Sequence, residues 1–93
     1  MAGVVERLQG LVGSDVVLDT ASPYLYIGRL AAVDDWFMRL EDVDVHDSNE
    51  TRTTKEVYIL EARKFGVKKN RHSVLVRTDK VISVSLLEDV IEY

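Results

Sequence analysis

The spacing of apolar residues changes along this 93-residue chain, and each change marks an element. Residues 2–12 place Val4, Val5, Leu8, Leu11 and Val12 at helical spacing, with Glu6, Arg7 and Gln9 on the other side. Gly13 then supplies a C-terminal stop, so a short amphipathic helix is predicted. From Asp15 to Thr20 the period becomes two, with Val16 and Leu18 on one face of a strand. Ala21-Ser22-Pro23 is a turn holding the chain's one proline. Tyr24 to Val33 is a longer strand rich in aromatic and β-branched residues (Tyr24, Tyr26, Ile27, Val33). Gly28 in its middle marks a sharp bend or a close backbone approach.

Asp34-Asp35 interrupts the run, and Trp36 to Val45 resumes it as a third strand. There the apolar phase shifts: Met38 and Leu40 are even, Val43 and Val45 odd. A bulge near Glu41-Asp42 reconciles the two halves. Residues 46–53 are a polar loop, and the segment after it reads as a helix. Thr53 and Glu56 have capping-box spacing, Ile59, Ala62 and Phe65 share a face, and Gly66 ends the run before Val67. A strand over Val57–Leu60 is the competing reading. Lys68 to His72 is a basic loop. Two short strands, Val74–Val76 and Val81–Leu86, are joined by Arg77-Thr78-Asp79-Lys80, and residues 87–93 form a tail. Several short strands separated by turns point to a small closed barrel rather than a sandwich.

Composition narrows the class. Hydrophobic content of 46% with 30% charged residues is that of a globular domain, not a disordered tail. No run approaches the roughly eighteen apolar residues of a membrane span, and no basic-then-apolar signal pattern opens the chain, so a cytoplasmic protein is expected. With no cysteine, disulfides and thiolate metal sites are excluded. The net charge of −4 disfavours a general nucleic-acid binder, but the distribution is uneven. Between Gly66 and Lys80, five cations (Lys68, Lys69, Arg71, Arg77, Lys80) meet one acid, Asp79, a local +4 that leaves −8 for the remainder. Glu41, Asp42, Asp44, Asp47 and Glu50 form an acidic stretch without Lys or Arg. Such segments are complementary surfaces between copies or simply solvated loops.

Two segments resemble the Sm-like (Sm/LSm) family. The first reads Leu11-Val12-Gly13-Ser14-Asp15-Val16-Val17-Leu18, then Gly28-Arg29-Leu30-Ala31-Ala32-Val33-Asp34, then Trp36-Phe37-Met38-Arg39-Leu40. The second reads Val74-Leu75-Val76-Arg77-Thr78-Asp79-Lys80-Val81-Ile82-Ser83-Val84. The resemblance implies one mainly-β domain over 1–93: an N-terminal helix (1–13), a first motif (14–45), a helical insertion (46–72), a second motif (73–86) and a tail (87–93). It implies a five-stranded, strongly bent antiparallel barrel, SH3-like in shape, with the helical insertion between strands three and four. It also implies a homo-oligomeric ring in which the fourth strand of one copy pairs with the fifth of the next. That assigns Val74, Leu75, Val76, Val81, Ile82 and Val84 to the subunit interface. These runs are uncharged and β-prone, and unpaired they would be aggregation hazards. The other reading makes both of them interior strands of a monomer.

In that family an aromatic stacks on a base, an Asn reads its edge and the Arg of the second motif closes the pocket. Arg77 holds the arginine position. With Met38 as the motif Met, the aromatic is Phe37, the motif Asp is Asp35 and Arg39 replaces the Asn. With Asp34 held fixed instead, the aromatic is Trp36 and Met38 replaces the Asn. The first register matches both Met38 and Leu40. The Gly that follows the arginine is here Thr78. The resemblance therefore implies single-stranded RNA as a partner through Phe37, Arg39, Arg77, Trp36 and Asp79, with Lys68, Lys69 and Arg71 as a further phosphate-contacting patch. The alternative is a ring or scaffold that has lost RNA binding and uses its insertion to recruit a protein.

Other chemistry finds little support. Asp42, Asp44 and His46 alternate along a strand, but nothing in the sequence completes a metal site. His72 has no nucleophile near it in sequence, no serine sits in a Gly-x-Ser-x-Gly elbow, and no phosphate-binding glycine loop occurs. The expectation is a protein without cofactor, metal or catalytic activity.

Overall fold

The computed structural model describes residues 2–92, and the side chains of Ala2 and Val4 also lie outside the described part. Helix α1 (Ala2–Gln9) leads into β1 (Asp15–Thr20), β2 (Tyr24–Val33) and β3 (Phe37–Asp47). Helix α2 (Lys55–Phe65), β4 (Arg71–Arg77), a 3-10 turn (Thr78–Lys80), β5 (Val81–Leu86) and a last 3-10 turn (Leu87–Asp89) complete the order. The five strands form one sheet in the order β4-β3-β2-β1-β5, every neighbouring pair antiparallel. β4 and β5 are consecutive in the chain yet occupy opposite edges.

The long central strands bend where the sequence marks them. Pairing of β2 with β3 slips between Ile27↔Asp44 and Arg29↔Glu41, so Asp42 and Val43 together oppose Gly28. Asp42 takes the positive φ of 51° that the bulge requires. A Cβ on Gly28 would lie 3.1 Å from the Glu41 carbonyl oxygen and from Val43 Cα, and 3.2 Å from the Asp42 carbonyl oxygen. Only glycine lets the two backbones come this close. Because of the extra residue, Met38 and Leu40 before the bulge and Val43 after it all enter one core.

Two cores lie on opposite faces of the sheet. Val16, Leu18, Leu30, Val33, Met38, Leu40, Val43 and Val76 fill the barrel, closed by Val5, Leu8 and Leu11 from the N-terminal segment. Val17, Leu25 and Ile27 point the other way and are covered by Ala62, Tyr58 and Ile59 of α2, with Val67, Leu87 and Val90. β1 is thus buried on both faces, which explains its unbroken Val16-Val17-Leu18 run.

Several boundaries differ from those read in the sequence. α1 ends at Gln9 because Gly10 begins a turn, although Leu11 still packs on the barrel core. The α2 N-cap is Thr54, whose side chain accepts from the Val57 amide; the Thr53–Glu56 capping box does not form. Val57–Leu60 is helix, not strand. Gly66 stops α2 as expected, with φ of 93° and its N–H on the Ala62 carbonyl. β4 begins at Arg71, so Arg71 and His72 are strand residues, not loop. Asn70 causes this. Its amide N–H donates to the Val43 carbonyl, and its side-chain carbonyl accepts from the Val45 N–H, fastening the chain to β3 before pairing starts.

Replacing Gly28 by valine is expected to cost about 1–3 kcal/mol, because the added atoms meet backbone that cannot rotate away. A lowered urea midpoint with unchanged slope is the expected result; unchanged stability would contradict the close approach.

Candidate nucleic-acid interface

The β2–β3 turn and the β4–β5 turn are built as one unit. The Asp34 carboxylate accepts from the amides of Trp36 (2.8 Å) and Phe37 (2.7 Å), and the Asp34 N–H donates to the Phe37 carbonyl at 2.9 Å. These two amide bonds, Phe37's first, hold the Asp34 carboxyl below the ordinary aspartate range. From the other side, the Thr78 amide donates to the Trp36 carbonyl (2.9 Å) and the Thr78 hydroxyl to the Asp35 carbonyl (2.7 Å). The Thr78 hydroxyl thus latches the two turns together, and Thr78 sits in the 3-10 turn without a positive φ.

Strand register then sets the side chains. Phe37 pairs directly with Arg77, and Arg39 with Leu75. Met38 and Leu40 are buried while Phe37, Arg39 and Arg77 face outward. The turn-capping carboxylate, however, is Asp34; Asp35 contributes only its backbone carbonyl. Trp36, 73% exposed, stands at the turn beside Phe37. Two exposed aromatic rings next to two guanidinium groups can stack on unpaired bases and meet phosphate.

Both guanidinium groups already hold carboxylates. Arg77 pairs with Asp79 at 2.9 Å and Arg39 with Glu41 at 3.6 Å. Glu41 also binds Arg29, which binds Asp42, which in turn receives Lys69, a ladder across the outer face of β2 and β3. Hydrogen bonding from Arg29, then the charge of Lys69, lowers the Asp42 carboxyl, and Asp42 followed by Glu41 raises the Arg29 guanidinium. Every member is substantially solvated, so each pair contributes little to stability.

The basic residues do not gather in one site. Arg71 pairs with Val43, six residues along β4 from Arg77, up to about 20 Å away at the usual strand rise. Lys68, Lys69 and Arg71 therefore belong to the opposite end of the edge strand. Of the residues expected at a subunit interface, Leu75 and Ile82 are 60% and 66% exposed, Val74, Val81 and Val84 are half-buried against the core, and Val76 is a core residue. Ile82 is exposed because the β1–β5 register slips beside it.

A buried polar cluster went unseen in the sequence. The Tyr58 hydroxyl donates to Asp44 at 2.6 Å, Asn70 donates to the same carboxylate at 3.2 Å, and the Tyr58 ring stacks on His46 at 3.8 Å between centroids. Burial, reinforced by the Asp44 hydrogen bond, raises the Tyr58 hydroxyl pKa. Asp42 is outside this cluster, so the alternating trio shares no site. Among the described residues no three His, Asp or Glu side chains group as metal ligands. Nor is any described helix long and apolar enough to cross a membrane.

No protein-family model matches the sequence, and no curated protein matches it. Solved structures match its shape. An Sm protein of Pyrococcus abyssii, in complex with a uridine heptamer, aligns with a TM-score of 0.61 at 18% identity over 89% of this chain and 96% of that one. The SmAP (LSm) protein of Methanococcus vannielii aligns at 0.59 and 21% identity, covering 89% and 93%. The heptamer-forming SmAP1 of P. aerophilum aligns at 0.56 and 18%, covering 92% and 95%. The likeness establishes the fold: a mainly-β Sm-like barrel with an N-terminal helix and a second helix between β3 and β4.

The Asp34 latch has a definite pH signature. Its carboxyl is depressed in the folded chain, so its contribution is complete above the unfolded value of about 3.9 and disappears as pH falls through the lower folded value. The Trp36 and Phe37 amide resonances should shift together with a midpoint below that of an ordinary aspartate, and Asp34→Ala should abolish the transition. A midpoint at or above the ordinary value would contradict the turn geometry.

Proposed function

We propose that this Sm-like chain assembles into a homo-oligomeric ring by pairing β4 of one copy with β5 of the next, and that the ring binds single-stranded RNA at the Phe37–Arg77 end of each subunit. The observation that carries the proposal is the sheet order, in which β4 and β5 are both terminal. Each edge presents unpaired backbone donors and acceptors, and each carries an exposed aliphatic side chain, Leu75 or Ile82. Joining one edge to the other satisfies both and, repeated by rotation, closes a ring. Support comes from the neighbours in shape, one a heptamer and one solved with a uridine heptamer.

For RNA, the roles divide by chemistry. Phe37 and Trp36 offer stacking faces, Arg77 and Arg39 offer charge and bidentate donors, and Asp79 positions the Arg77 guanidinium through its 2.9 Å ion pair. The reading involves no catalytic step. A scaffold that binds a protein partner instead is favoured by one observation: Arg39 and Arg77 are both already neutralised by Glu41 and Asp79.

Anisotropy of a labelled uridine-rich oligoribonucleotide separates the two. Phe37→Ala should weaken binding by about 1–3 kcal/mol. Arg77→Ala should weaken it and reduce the salt slope by about 0.7 for each phosphate it no longer neutralises. Wild-type binding that Arg77→Ala leaves untouched would refute the pocket, and no binding at low salt to uridine- or adenine-rich strands would select the scaffold.

A further inference from the structure

The two edges differ in charge as well as in position. At the start of β4 stand Lys68, Lys69 and Arg71, all exposed. Just beyond the end of β5 stand Glu88, Asp89 and Glu92, also exposed. Among the described residues none of the three acids has a cation within ion-pair distance, and Lys68 and Arg71 have no carboxylate; Lys69 alone reaches one, Asp42, at 3.4 Å. A further acid, Glu56 of α2, lines a groove together with Ser85 and Asp89. Three cations thus sit at one corner of the sheet, and Glu88 and Asp89 at the corner of the opposite edge.

We infer that these two clusters are the halves of an electrostatic lock that holds β4 of one copy against β5 of the next. The inference rests on the ring reading above. In an antiparallel joint overlapping most of both strands, residues 68–71 of one copy lie against residues 86–90 of the next, setting cations against Glu88 and Asp89. In a parallel joint the same cations lie beside Asp79 and Lys80, which cancel, and the acids meet only Arg77, already held by Asp79. The two clusters therefore complement one another across the joint, as opposed charges do at other interfaces. Every pairing within the subunit is antiparallel too, so the joint continues the sheet's own hydrogen-bond pattern. Lys68, Lys69 and Arg71 then serve assembly rather than RNA.

Sedimentation velocity of the full chain tests this. The wild-type assembly should loosen as salt rises from 0.1 M to 1 M, where the screening length falls from about 10 Å to about 3 Å. Lys68→Glu with Arg71→Glu should weaken assembly at least tenfold at low salt, and so should Glu88→Lys with Asp89→Lys. Combining all four should restore it, with circular dichroism confirming that each variant is folded. A salt-insensitive wild-type ring, reversals without effect, or a folded fourfold variant that stays apart would overturn the lock while leaving the ring. A wild-type chain that remains single at low salt would overturn the ring itself.

Discussion

Two strands that are consecutive in the chain ordinarily pair as a hairpin, and here they cannot. The 3-10 turn Thr78–Lys80 is tied by Thr78 to the carbonyls of Asp35 and Trp36, and it directs β5 away from β4 and across the barrel to β1. The remaining architecture depends on that diversion. It lets five short strands wrap one core, and it leaves two unsatisfied backbone edges on a single chain. An edge of this kind is an invitation to pair, and the chain carries one at each end of its sheet.

The same tie assembles the candidate interface. Because the two turns are bonded together, Phe37 and Arg77 arrive opposite one another from residues 40 positions apart in sequence. Asp34 stiffens the near side by accepting two amide hydrogen bonds, and Thr78 the far side by donating one from its amide and one from its hydroxyl. The aromatic and guanidinium groups therefore project from a rigid platform, the arrangement that stacking on an unpaired base calls for. The α2 layer plays no part in this platform. It covers the outer face of β1 and β2, anchored by Lys55, whose ammonium group bonds Asp19 at 2.6 Å and the Ser22 carbonyl at 2.8 Å.

Local signals were the legible ones. The bulge at Glu41-Asp42, the close approach at Gly28 and the stop at Gly66 each arise from a residue type whose backbone or phase admits one solution. The barrel and its edge strands were legible because two motifs in the right order constrain topology. The features that escaped depend on partners distant in sequence. The cluster of Asp44 and His46 is not legible in the sequence because nothing nearby announces that Tyr58 and Asn70 will cover them. Arg71 looked like loop because its strand is fixed by Asn70 bonding β3. The capping box at Thr53 gave way to Thr54, a one-residue choice that sequence spacing does not resolve.

The central claim is that the β4 and β5 edges meet between molecules, and molar mass by light scattering at moderate ionic strength tests it most directly. The account predicts a single species at an integral multiple of the 10.6 kDa chain, unchanged over a wide range of protein concentration. A mass that stays at one chain as concentration rises would contradict it.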